Sequence, residues 1–185
     1  MKITKSILSS MILCLGLSAC DSLNFWREEK PEPCPRITVL KNASELTKFK
    51  DGPGRDIIDV LFEAKITNVL SACQYDVDYD TRAGSILTQV APVISAQRGP
   101  ADQSRKADVN YFVAIVDNQK KILEKTTFPL RLAFPGNQTL NEVTDEPIDL
   151  TIVTDGSRDG SDYEIYVGLQ LTREEISYNA RINQR

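Results

Sequence analysis

Tyr163-Glu164-Ile165-Tyr166-Val167-Gly168-Leu169-Gln170-Leu171-Thr172 alternates from end to end. Tyr163, Ile165, Val167, Leu169 and Leu171 fall on one side, and Glu164, Tyr166, Gly168, Gln170 and Thr172 on the other. A period of two is the signature of a strand, and this polarity contrast predicts a half-buried antiparallel one. Six more segments read the same way. Ile37 to Leu40 is a first short strand. Ile57 to Tyr75 is a long one with Val60, Phe62, Ala64 and Ile66 on one face; its phase blurs near Asn68, where either a bulge or burial of both faces is expected. Ser85 to Ser95 carries Pro92, which implies an edge or bulge position. Asp108 to Val116 is the most apolar stretch and reads as a central strand. Ile122 to Phe134 returns after the Asp117-Asn118-Gln119-Lys120 turn, with Phe128, Leu130, Leu132 and Phe134 on one side. Ile148 to Thr154 points Ile148, Leu150 and Ile152 inward.

The connections are turn-like. Asn42 to Lys50 reads as a helical turn capped by Ser44 and stopped at Asp51-Gly52-Pro53-Gly54. Gln97 to Lys106 and Asn141 to Pro147 read as polar crossings. Thr172 and Glu175 have capping-box spacing, which predicts a short helix from Arg173 to about Ile182. About seven strands with turns between them, and no regular alternation with helices, predict an all-β, two-sheet sandwich of immunoglobulin or fibronectin type. A closed barrel is the alternative.

The chain has 185 residues. Its start is organised differently from the rest. Met1 to Lys5 carries Lys2 and Lys5, and Ile7 to Leu17 is mostly apolar but too short to span a bilayer as a helix. Leu17-Ser18-Ala19-Cys20 then reads as a lipobox, with the small Ser18 and Ala19 before a thiol that accepts a diacylglycerol. Bulky Leu13 makes Cys14 a poor competitor. The expected organisation is a signal peptide over 1–19, a lipidated, proline-rich tether over 20–36 and a β-sandwich domain over 37–185. Several acyl chains on Cys20 would hold the membrane far more firmly than one. Asp21 after the lipidated cysteine favours the periplasmic face of the inner membrane over the outer membrane.

Pro31, Pro33 and Pro35 give the tether an extended character. Cys20 to Cys34 spans at most about 45 Å. Phe25 and Trp26 suit either the lipid head-group level or the domain's own edge. Arg27-Glu28-Glu29-Lys30 reads as a solvated spacer.

Charge and composition exclude several classes. There are 22 basic and 26 acidic residues; loss of Lys2 and Lys5 with the leader leaves 20 against 26, a net charge of −6. That disfavours nucleic acid and gives no attraction to anionic lipid. The chain has no histidine, which removes the commonest general base and zinc ligand. No Gly-x-Ser-x-Gly or Ser-x-x-Lys motif supplies a hydrolase nucleophile, and no aromatic-rich cleft accompanies the acid pairs. No enzyme and no cofactor are expected. Asn42-Ala-Ser and Asn137-Gln-Thr match glycosylation sequons that a bacterial lipoprotein leaves unused.

With Cys14 removed and Cys20 lipidated, Cys34 and Cys73 remain. In an oxidising compartment they are expected to pair; the alternative is a free, buried Cys73 with Cys34 mobile. Two acidic loops invite a calcium reading. One holds Asp76, Asp78 and Asp80, and the other Asp155, Asp159 and Asp162. The second begins like an EF-hand loop but places Tyr166 where the bidentate glutamate belongs. Turn chemistry explains the same residues.

Cys73-Gln-Tyr-Asp76, Tyr111-Phe-Val-Ala-Ile-Val-Asp117 and Tyr163 to Thr172, behind the lipobox, resemble a group of Gram-negative envelope lipoproteins of unassigned activity. The resemblance covers most of the mature chain. It implies an envelope location and a β fold, and it carries no functional residues. The expected role is a membrane-anchored interaction or scaffold protein, held by Cys20 and touching another envelope protein through a sheet edge or loops. The alternative is a ligand- or calcium-binding sandwich that uses loops 76–80 and 155–162.

Overall fold

Paired strands make up most of residues 32–182, the part of the chain described by the structure, a computed structural model. The elements are β1 (Arg36–Val39), β2 (Glu45–Phe49), β3 (Val60–Val77), β4 (Ala83–Arg98), β5 (Lys106–Asp117), β6 (Ile122–Ala133), β7 (Leu140–Thr144), β8 (Ile148–Asp155), β9 (Tyr163–Leu169) and α1 (Arg173–Ile182). Sheet A runs β1-β9-β5-β6. Sheet B runs β2-β3-β4, and both β7 and β8 pair with the far side of β4, at its two ends. All pairs are antiparallel except β1 with β9. The chain is a two-sheet β-sandwich with one short C-terminal helix.

The core lies between the sheets. Sheet B contributes Phe62, Ala64, Ile66, Ile86, Val90 and Ile94, and sheet A contributes Tyr111, Val113, Ile115, Leu132, Ile165 and Val167. The Tyr111 hydroxyl donates to Asp145 Oδ2 at 2.6 Å, joining β5 to the turn after β7. Its ring stacks on Phe128, and burial pushes the phenol pKa above its usual range.

Two local features follow the sequence closely. The β3–β4 register shifts between Ile66 and Asn68. Buried residues are even-numbered before that bulge, and the partly buried ones are mostly odd-numbered after it. Pro92 is buried, lies opposite Val69 beside this bulge, and falls where the outer neighbour of β4 changes from β8 to β7. A missing N–H is tolerated where a ladder is already interrupted. The capping box at α1 also forms: Thr172 N donates to Glu175 Oε2 at 2.8 Å, and Glu175 N to Thr172 Oγ1 at 3.3 Å.

Three expectations are corrected. Asn42 to Lys50 is not a helical turn. A 3-10 turn occupies only Lys41–Ala43, and Glu45–Phe49 is strand β2. Ser44 does not cap a helix start; its hydroxyl donates back to Lys41 O and its carbonyl accepts from Ile66 N at the edge of the β2–β3 ladder. The β3 edge offers five residues a ladder, which outweighs a weak local preference. Within the polar crossing after Phe134, Leu140–Thr144 is strand β7, paired with Val93 to Gln97. These two strands bring the expected seven to nine.

The third correction concerns β9. It stops at Leu169, pairs in parallel with β1, and is buried on both faces except at Tyr166. Gly168 allows the outer face to close. A side chain there would collide with the Phe112 ring, whose atoms lie 2.8 and 2.9 Å from its would-be Cβ. The Lys125 ammonium then sits 4.1 Å over the same ring, so a long cationic stem shields apolar surface on this side.

Candidate functional site

The folded unit begins at Glu32, so Glu32 to Arg36, read as tether from its prolines, is part of the fold. Pro35 is buried and Arg36 opens β1. Cys34 and Cys73 form a disulfide with a Cα–Cα separation of 5.9 Å. Closing that loop of about 40 residues is worth about 4 kcal/mol in the chain-entropy model. Tyr75, two residues along β3, donates its hydroxyl to Pro33 O at 2.6 Å and accepts from Gly160 N at 2.7 Å. Burial raises its pKa. Glu32 pairs with Arg82. Gly160 is required by closeness: a Cβ there would lie 2.1 Å from Pro33 O.

Beside this strap sits a charge cluster. Glu164 of β9 accepts from Lys120 Nζ at 2.6 Å and pairs with Arg36. Lys120 first, then Arg36, hold its carboxyl well below the usual range, at about 2. Glu164 explains how a carboxylate sits on a buried strand: two cations satisfy it where water does not.

The six candidate aspartates gather at the same end of the sandwich, because the β3–β4 turn and the β8–β9 loop meet there. Ala83 pairs with Asp155, and a Cβ on Gly156 would press within 2.1 Å of Thr81 O. Their carboxylates are nevertheless used separately. Asp78 Oδ1 accepts from the backbones of Asp80 and Thr81 and from the Thr81 hydroxyl, and these bonds lower its pKa. Asp155 Oδ1 accepts from Ser157 N and Oγ, which lowers its pKa likewise. Asp159 and Asp162 share a capping box around the 3-10 turn Gly160–Asp162. Asp76 lies in β3 opposite Ser85, and Asp80 is exposed in the turn. Among the described residues no three His, Cys, Asp or Glu side chains are grouped to hold a metal ion. The arrangement is that of turns built from Asx and hydroxyl pairs.

Adjacent to this end, the sandwich opens along one flank. A cleft of about 430 Å³ separates the first residues of β6 from the last residues of β8. Ile115, Ile152 and Tyr163 form its buried floor, and Leu123, Val153 and Arg158 stand at its mouth. Among the described residues, the outer sides of β6 and β8 are sheet margins with no further strand. Residues Ile122 to Thr127 are all exposed, and Val153 is 78 % exposed. Farther along, Asn141 Nδ2 donates to Ala133 O and β7 closes the gap. The sequence reading did not single out Leu123, Val153, Tyr75 or Arg82. Val153 did carry a signal, since it is apolar but out of phase with Ile148, Leu150 and Ile152.

A second cleft, about 600 Å³, lies between β2 and α1. Its walls hold one another: Lys48 pairs with Glu175 at 3.0 Å, Arg55 with Glu174 at 3.7 Å, and Phe49 packs edge-on against Tyr178. This is the chain sealing its own margin.

The segment 1–19 expected to be a signal peptide, Cys20 expected to be lipidated, Phe25, Trp26 and the expected tether as far as Pro31 lie outside the described residues. Among the described residues, no helix is long and apolar enough to cross a membrane. No protein-family model, no curated protein and no solved structure matches the chain.

Proposed function

We propose that this chain is a lipid-tethered, non-enzymatic interaction protein of the bacterial cell envelope, anchored by Cys20 at the periplasmic face of the inner membrane, and that it binds a partner protein along the β6–β8 flank. The lipobox supports the anchor. The open flank supports the binding. Two strand margins there border an apolar-floored cleft with Ile122, Leu123 and Val153 exposed. An exposed margin offers main-chain donors and acceptors to an extended segment of a partner, and the cleft offers a pocket to its alternate side chains. Pro129 in β6 has no N–H to give, which limits the usable edge to the residues before it.

The test places a photo-cross-linking residue at Leu123 or Val153 in intact cells, with exposed Glu63 on β3 as the comparison position. One reproducible adduct at the two flank positions and none at Glu63 is the expected result. Equal labelling at all three, or none, ends the docking assignment. Cys20→Ala is expected to release the protein from membranes; unchanged partitioning ends the tether assignment.

A further inference from the structure

The strap Glu32 to Pro35 is fastened to more of the fold than a chain entrance requires. Beyond it, β1 is only four residues long, lies at the margin of sheet A, and is paired on one side alone, in parallel with β9. A pull arriving from the N-terminal side would meet β1 at its first residue. It would act on a ladder of only four residue pairs, Arg36 to Val39, with no strand on the other side of β1 among the described residues. The strand at the other end of the disulfide is different. Cys73 lies within β3, eighteen residues long, and its ladder continues through Thr88 of β4 to Leu150 of β8. Cys34 precedes Arg36 in the chain, so the covalent branch to sheet B is reached before β1 is.

Other contacts stand at or before that branch. Pro33 is held by Tyr75, Glu32 by Arg82, and the backbone of Gly160 lies against Pro33 and Cys34. They attach the strap to β3, to the β3–β4 turn and to the β8–β9 loop. All three attachments avoid β1.

We infer that Glu32 to Pro35 is a mechanical latch, through which the Cys34–Cys73 bond carries tension on the N-terminal segment into sheet B and so keeps β1 on β9. This rests on the reading that the chain is held from its N-terminal side. In use, the latch keeps the fold intact when the protein bridges a membrane anchor and a bound partner. It also fixes β1 and, through Arg36, the cluster of Arg36, Glu164 and Lys120.

The experiment is single-molecule pulling of the mature chain, with handles fused at its two termini, before and after addition of a dithiol reductant. The oxidised chain is expected to unfold with no step ahead of the main rupture. The reduced chain is expected to show an early extension on the order of 10 Å, as residues 34 to 44 straighten at about 3.4 Å each from the span of about 23 Å that they already cover alongside β3 between Cys73 and Ile66. A Cys34→Ser/Cys73→Ser variant, checked for retained hydrogen-exchange protection in β5 and β9, is expected to show the same step without reductant. Traces that match up to the main rupture in oxidised, reduced and variant chains overturn the latch. Because the handles replace the membrane, this outcome is separate from the Cys20→Ala partitioning test, and either assignment can fail alone.

Discussion

The two long margins of this sandwich are finished in opposite ways. At the β2 margin the chain returns to cover itself. Asn179 of α1 donates to the Glu45 carbonyl at 2.7 Å, Lys48 pairs with Glu175, and the Phe49 and Tyr178 rings meet edge to face with centroids 5.0 Å apart. At the β6–β8 margin no element of the described chain returns, and Ile122, Leu123 and Val153 stay in solvent. A bare strand edge invites pairing with any other chain, and proteins normally blunt it. This fold has a helix to spend on one margin and leaves the other open. That contrast directs the search for function to the second.

The largest effect is expected at the side of the sandwich away from the open margin, where the disulfide joins the lead-in to β1 of sheet A to β3 of sheet B. Cys34→Ser/Cys73→Ser should lower the unfolding free energy by about 2–4 kcal/mol, read as a lower denaturant midpoint with a steeper slope, since the unlinked denatured chain expands. A midpoint equal to that of the oxidised protein would show that the ladders alone hold this end together.

Next comes the covered margin. Tyr178→Ala with Asn179→Ala removes an aromatic pair and a hydrogen bond, worth about 2 kcal/mol together. It should also uncover the β2 edge, so that size-exclusion chromatography shows concentration-dependent dimers. If the variant stays monomeric, α1 is not what guards this margin, and the contrast between the two margins collapses.

A smaller effect separates charge from packing beside the open flank. Glu164 titrates at about 2 in the fold, against 4.5 ordinarily. A depressed carboxyl stabilises the fold above its unfolded pKa, and that contribution fades as pH falls from about 4.5 to about 2. Glu164→Gln should flatten the loss of stability across that window relative to wild type. Parallel acid-unfolding profiles for the two proteins would assign the pairing with Arg36 and Lys120 no part in stability.

The smallest change in stability, and the sharpest in binding, belongs to the open margin itself. Leu123→Asp and Val153→Asp are surface substitutions and should stay within about 0.5 kcal/mol of wild type, while capture of the cross-linked partner is lost. Retained capture at normal stability would move the docking site elsewhere.

Much of the architecture was legible because burial imposes period two. Val60 to Ile66, Phe128 to Phe134 and Ile148 to Ile152 show their inner faces directly. The bulge near Asn68 announced itself as a change of phase, and the α1 cap as Thr172 and Glu175 three residues apart. β2 and β7 were not legible, since five-residue edge strands take their structure from the neighbour that offers a ladder and carry little pattern of their own. β9 misled for a different reason. Its polar face looks solvent-bound, yet Glu164 is matched by Arg36 and Lys120 from elsewhere in the chain, and Gly168 is filled by Phe112.

The candidate site divides along the same line. Composition and local motif determined the absence of histidine and the β class, and raised the lipobox reading at Cys20 and the pairing of Cys34 with Cys73 as expectations, because each depends on residue identity or on neighbours a few positions apart. Tertiary structure alone decided that Tyr75, Arg82 and Gly160 hold the strap, that the acidic loops meet as separate turns, and that Leu123 and Val153 both border one open cleft. Those relations join residues dozens of positions apart, and only the pairing of strands sets which of them meet.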